Sequence, residues 1–180
     1  MMKQEDVIPI QLIPDVLTEA EVAAIEAECG HYEFRDAAAI EALKLVQKNR
    51  RWIDDDCLIA IANLLGMSSA QLEGVATFYN HIYRQPVGRH VIHLCDSIAC
   101  HLHRYQELAE QLRQLLNIEF GETTEDGLFT LLTNPCLGAC DKAPALMLDG
   151  EIIEQLSKET VAALIQRLKH ECEQEDEQHG

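Results

Sequence analysis

Apolar positions recur every three or four residues through the first half of the chain, the spacing of helices that bury one face. Thr18 with Glu21 makes a capping box, and Val22, Ile25 and Cys29 follow at helical spacing before Gly30. A second helix is expected from about Asp36, with Ile40, Leu43 and Val46 on one side. Asp54 to Asp56 can cap a third, whose apolar side is Leu58, Ile61, Leu64 and Leu65 and whose end is set by Gly66. Ser68 with Gln71 opens a short fourth helix toward Val75. These stripes read as core. They carry no metal-ligand spacing.

The pattern changes at Gln85-Pro86-Val87-Gly88, a turn or linker signal. His90 to Leu94 is a short β-rich run that delivers the chain to Cys95. His103 to Leu116 reads as an amphipathic helix with Leu108, Leu112, Leu115 and Leu116 on its apolar side, and 121–127 as a polar loop. Phe129 to Leu132 predicts a second strand, running out into Asn134-Pro135-Cys136. Asp149-Gly150 is a strong two-residue turn signal, so Ala145–Leu148 and Glu151–Ile153 should form a hairpin. A last helix should start after Ser157 and bury Val161, Leu164, Ile165 and Leu168. A β-α-β unit followed by β-hairpin-α is the order of a thioredoxin-like domain. The expected fold is therefore α/β (α+β): an extension over 1–17, a helical region over 18–84, a thioredoxin-like domain over 85–170 and an acidic tail over 171–180.

Charge narrows the function. At 180 residues and a formal net charge of −17, the chain has no general affinity for phosphate backbones or anionic lipid. Glu171, Glu173, Glu175, Asp176 and Glu177 read as a solvated, frayed tail. Met1 to Ile10 lacks the order of a signal peptide and the Arg/Ser-rich character of a transit peptide, so the thiols are expected to meet a reducing cytosol. Seven cysteines in that setting point to metal or redox chemistry rather than a disulfide framework.

Four of them come in two close pairs, each just past a predicted strand: Cys95-Asp-Ser-Ile-Ala-Cys100 and Cys136-Leu-Gly-Ala-Cys140. An iron of a binuclear 2Fe-2S cluster already holds two bridging sulfides, and a pair of protein thiolates completes its tetrahedron. Two loops with two cysteines each meet that demand. Gly138 lets the second loop bring backbone amides toward the sulfurs. Structural zinc also takes four cysteines, although its knuckles are usually tighter. A thioredoxin-type redox disulfide needs Cys-x-x-Cys, which is absent, and a Rieske centre would recruit histidines such as His101 or His103. Cys29 and Cys57 fall on apolar helix faces and read as core, and Cys172 lies in the acidic tail. No nucleophile motif, P-loop or Gly-x-Gly-x-x-Gly is present, so no NADH or flavin site is evident.

The second loop in its full context resembles one family. Asp126-x-x-Phe129-Thr130, then five residues, Cys136-Leu137-Gly138-x-Cys140, then two residues and Ala143-Pro144 is similar to the signature of the E subunit of bacterial NADH-quinone oxidoreductase, respiratory Complex I. Glu41 to Gln47, Gly74 to Tyr79 and Gly88 to Ile92 look like the same family, so the resemblance runs from about Thr18 to Lys169. It implies a thioredoxin-like 2Fe-2S ferredoxin domain behind a helical region, with Cys95, Cys100, Cys136 and Cys140 as cluster ligands. It implies a place beside the flavoprotein that binds FMN and NADH, the F subunit, in the peripheral arm on the cytoplasmic side of the bacterial inner membrane. Arg51 stands where family members often have Gly after the second helix, which disfavours a left-handed cap there. A similar subunit serves as part of the diaphorase of NAD-linked hydrogenases and formate dehydrogenases. From another class, a zinc-stapled interaction module remains the rival.

Overall fold

The computed structural model describes residues 16–179 of the backbone and the side chains of 16–174; most of the expected N-terminal extension therefore lies outside the described residues. The chain divides into two compact units at Pro86/Val87.

The first unit is helical. α1 (Glu19–Cys29) starts on the Thr18 capping box, with Glu21 N–H donating to Thr18 Oγ1 at 3.2 Å and Thr18 N–H to Glu21 Oε2 at 2.9 Å. A single 3-10 turn, Arg35–Ala38, precedes α2 (Ala39–Arg50), so the second helix begins later than Asp36. Its buried face is Ala39, Ala42, Leu43 and Val46, with Ile40 only half-buried. Arg51 closes α2 in the left-handed region at φ 73° despite its side chain, its N–H donating to Gln47 O at 2.6 Å. That conformation costs about 1–2 kcal/mol for a non-glycine residue, and Gln47 helps to hold it. The Gln47 amide donates to His81 O at 2.7 Å and accepts from Tyr83 N–H at 2.6 Å, tying the loop after the last helix to α2.

Asp54 caps α3 (Asp55–Leu65) through Cys57 N–H at 2.7 Å, and Gly66 ends it at φ 70°. Ser68 and Gln71 form the second capping box, at the start of α4 (Ser69–Phe78). The core gathers Ile25, Leu43, Val46, Ile53, Ile61 and Leu72, with Cys29 and Cys57 among them as the sequence suggests. Ion pairs run around it. Arg84 Nε donates to Glu73 Oε2 at 2.8 Å and Nη2 to Asp55 Oδ1 at 2.6 Å. Arg50 meets the buried Glu21. No single helix among the described residues is long and apolar enough to cross a membrane.

The second unit is a four-stranded sheet of order β2-β1-β3-β4. β1 (His90–Cys95) and β2 (Phe129–Asn134) are parallel, in register from His90↔Phe129 to Cys95↔Asn134. β3 (Leu146–Leu148) runs antiparallel to β1 and closes a hairpin with β4 (Glu151–Ile153) through Asp149-Gly150. The crossover from β1 to β2 holds two helices where periodicity suggests one. A short α5 (Ile98–Leu102) breaks at Arg104, which sits at φ 67°, before α6 (Tyr105–Leu116). Leu108, Leu112 and Leu116 of α6 pack with Ile92, Leu94, Leu131 and Leu146 of the sheet and with Val161, Leu164, Ile165 and Leu168 of α7 (Lys158–His179).

Gly88, at the entry to β1, passes close to β2. A Cβ there would stand 2.8 and 2.9 Å from the Phe129 backbone, while its N–H donates to buried Thr130 Oγ1 at 2.6 Å. At the other end, α7 continues through the acidic stretch to His179, and Cys172 is buried on it, 3.9 Å from His90 Nε2. This acidic stretch is helical as far as the backbone is described.

Candidate metal centre

Parallel pairing brings the two cysteine loops to one place. Because β1 and β2 end in register, the chain leaves both strands on the same edge of the sheet, the usual position of ligand sites in parallel sheets. Asp96 N–H donates to Asn134 O at 2.8 Å, and Cys95 N–H to Ala145 O at 3.1 Å, so the first loop is stitched to β2 on one side and to β3 on the other. Cys95 is the last residue of β1, and Cys100 lies on α5. Cys136 follows β2 by two residues, and Cys140 opens a 3-10 turn, Cys140–Lys142, that sequence periodicity does not reveal.

The pairs differ in exposure. Cys95 and Cys100 are 2% and 1% exposed, whereas Cys136 and Cys140 both face solvent. Cys136 Sγ and Cys140 Sγ are 3.7 Å apart. Two thiolates on one tetrahedral metal ion, at bonds of about 2.3 Å, sit about 3.7–3.8 Å apart, so this pair already has the spacing one metal requires. Cys136 and Cys140 thus stand as a pair, as one iron of a binuclear centre would take them.

The chain aims donors at these sulfurs. Gly138, at φ 84° in the left-handed region, turns its N–H toward Cys136 Sγ at 3.4 Å. Burial works against a charged Cys95, but hydrogen bonds from the Ser97 hydroxyl and from the Leu137 and Ser97 amides outweigh it, leaving this thiol below its ordinary pKa. Burial pushes Cys100 up, and the adjacent Cys95 adds to that, against donors from Ser97 and the Ala145 amide. Cys140 is held up by the neighbouring Cys136 sulfur, which competes for the same negative charge. A metal that binds thiolates overrides this repulsion and releases the protons. The donor set, four thiols with backbone and hydroxyl donors around them, fits an iron–sulfur cluster.

Other side chains singled out by sequence fall elsewhere. His101 Nε2 pairs with Asp96 Oδ1 at 2.5 Å and its ring stacks on Tyr105 at 4.3 Å, while His103 Nδ1 meets Ala99 O at 2.8 Å. Both are therefore occupied outside the sulfur group. Cys57 is buried, and burial, reinforced by Asp54, pushes its thiol up to about 11. Ser97 is not evident from the cysteine pattern, though its spacing three residues before Cys100 is that of an N-cap.

A parallel strand pair with a two-cysteine loop after each strand, completed by a β-hairpin and packed helices, defines a thioredoxin-like ferredoxin module. The family model for the thioredoxin-like 2Fe-2S ferredoxin matches residues 25–169. The E subunit of NADH-quinone oxidoreductase from Escherichia coli (strain K12) is 52% identical over 153 residues, 85% of this chain and 92% of that protein. Its counterpart from Pseudomonas aeruginosa, also the E subunit of NADH-quinone oxidoreductase, is 48% identical over 151 residues, 84% of this chain and 91% of that one. The solved structure of an NAD+-reducing NiFe-hydrogenase in its air-oxidised state superposes with a TM-score of 0.65 at 23% identity. That likeness covers 74% of this chain and 23% of the hydrogenase chain, and it shows a shared fold. The chain belongs to the family of NADH-quinone oxidoreductase E subunits, which are thioredoxin-like 2Fe-2S ferredoxins.

Proposed function

We propose that Cys95, Cys100, Cys136 and Cys140 hold one 2Fe-2S cluster, with Cys95 and Cys100 on one iron and Cys136 and Cys140 on the other. In this reading the chain works beside the flavoprotein that carries FMN and NADH, the F subunit, in the peripheral arm on the cytoplasmic side of the membrane. The observation that carries the ligand assignment is the 3.7 Å Cys136–Cys140 sulfur pair, on a loop that leaves the sheet beside the buried Cys95 and Cys100.

When bound, the cluster takes up and returns one electron. The residues around it do the rest. The buried pair keeps one side dry, while the exposed pair leaves the other side open to a redox partner. The amides of Leu137, Gly138 and Ala145 stabilise added negative charge on the sulfurs without moving a proton. Phe78, 76% exposed on the helical unit and stacked edge-on against Tyr79 at 5.1 Å, suits an anchor for the partner. Trp52 is half-buried and offers less surface.

Identity of 52% to the Escherichia coli protein over most of both chains favours this complex over the hydrogenase diaphorase, where the likeness is one of fold. The match of residues 25–169 to the thioredoxin-like 2Fe-2S ferredoxin family favours a binuclear centre over a zinc staple. Purified without flavin, the chain should leave NADH unoxidised. Mixed with the flavoprotein partner, it should lose part of its visible absorbance on addition of NADH. Oxidation of NADH by the flavin-free chain would overturn the proposal, as would a cluster that stays oxidised in the NADH-reduced complex.

A further inference from the structure

We infer that the Ser97 hydroxyl is a potential-setting donor to the cluster's sulfur ligands; this rests on the ligand assignment proposed above. Ser97 Oγ lies 3.4 Å from Cys95 Sγ and 3.4 Å from Cys100 N. As the N-cap of α5, Ser97 accepts the Cys100 amide proton on its oxygen, which leaves the hydroxyl with one proton still to place. The nearest sulfur is that of Cys95, 3.4 Å away and in direct reach.

Chemistry fixes the direction of the effect. Once a metal holds the thiols as thiolates, sulfur can only accept, so the contact runs from O–H to S−. One-electron reduction adds one negative charge to the group and takes up no proton at Ser97. The hydroxyl keeps its proton throughout and bonds more strongly to the reduced state. Hydrogen bonds to the sulfurs are among the features that set the potentials of such clusters. Ser97 therefore favours the reduced form, as a positioning residue that acts through the ligands.

The test compares Ser97→Ala, Ser97→Gly and Ser97→Thr in the anaerobically purified full chain, with EPR-monitored redox titration as the readout. Glycine is tolerated at an N-cap nearly as well as serine, whereas alanine is not, so the two separate donor from cap. Loss of one hydrogen bond should shift the reduction equilibrium by roughly three- to tenfold, a fall of about 30–60 mV at 59 mV per tenfold. Ala and Gly should both fall by this amount, and Thr, which keeps the hydroxyl, should match the unaltered chain. Unchanged potentials in Ala and Gly would overturn the inference, and so would a fall confined to Ala. If either variant loses its cluster, the unaltered protein frozen soon after transfer to D2O decides. Its reduced-state ENDOR spectrum should lose a fast-exchanging proton coupling, and an unchanged proton spectrum would refute the donor. Iron and sulfide analysis of the unaltered chain keeps the two claims apart: absence of both sinks the ligand assignment, while their presence leaves the potentials to judge Ser97 alone.

Discussion

Serine in place of any one of Cys95, Cys100, Cys136 or Cys140 is expected to abolish the 2Fe-2S cluster or visibly alter it, and serine at Cys29, Cys57 or Cys172 to leave it intact. Each proposed ligand completes one iron's tetrahedron, and an alkoxide is a harder and poorer ligand there than a thiolate. The outcomes should be graded. At the solvent-facing Cys136 and Cys140, water or hydroxide can replace the lost thiolate, so an altered spectrum is expected with some cluster retained. At Cys95 and Cys100, both nearly fully buried, no solvent replaces the ligand and the cluster should be lost outright. The three remaining cysteines lie elsewhere: Cys29 and Cys57 in the helical core, and Cys172 against His90 on α7. Visible spectra and iron content of the seven variants check this, and a normal cluster in a variant lacking two of the four proposed ligands would refute the assignment.

The other large effect concerns stability. Glu21 has a side chain only 3% exposed, and Arg50 grips it with two hydrogen bonds, Nε to Oε1 at 2.9 Å and Nη2 to Oε2 at 2.7 Å. The same guanidinium donates to Cys57 Sγ at 3.1 Å. Removing the arginine strands a buried carboxylate, and breaking such a pair costs about 3–5 kcal/mol. Arg50→Leu should therefore lower the urea midpoint of unfolding sharply.

The pair also predicts an acid limb. The Arg50 hydrogen bonds, working against burial, lower the Glu21 carboxyl from 4.5 to about 2 in the folded chain. A depressed folded pKa contributes stability that is fully present above the unfolded value. It is lost as pH falls from about 4.5 through about 2. The full swing amounts to at most about 3 kcal/mol, at 1.36 kcal/mol per pH unit. Stability measured against pH should fall over that window in the unaltered chain and less steeply in Arg50→Leu. Equal slopes would show that other carboxylates govern acid unfolding.

How much of this is legible in the sequence depends on whether the signal is local. The capping boxes at Thr18/Glu21 and Ser68/Gln71, the Asp54 cap and the Asp149-Gly150 hairpin are decided within a few residues, and they read correctly from sequence. The two cysteine loops are legible for the same reason, through spacing and position after strands. What escapes is set by distant partners. Glu21 reads as a cap, yet its second role depends on Arg50, 29 residues away. Arg51 and Arg104 take left-handed conformations that their residue type disfavours, so one cap and one helix break go against local preference. Ser97 looks like an ordinary loop serine until the strand register brings both loops to one edge of the sheet.

The most direct test of the central claim is metal and sulfide analysis of the anaerobically purified chain, with EPR before and after reduction. Two iron and two acid-labile sulfide per chain are expected, EPR-silent when oxidised and giving an S = 1/2 signal after one electron is added. A colourless protein carrying one zinc and no sulfide would contradict the claim.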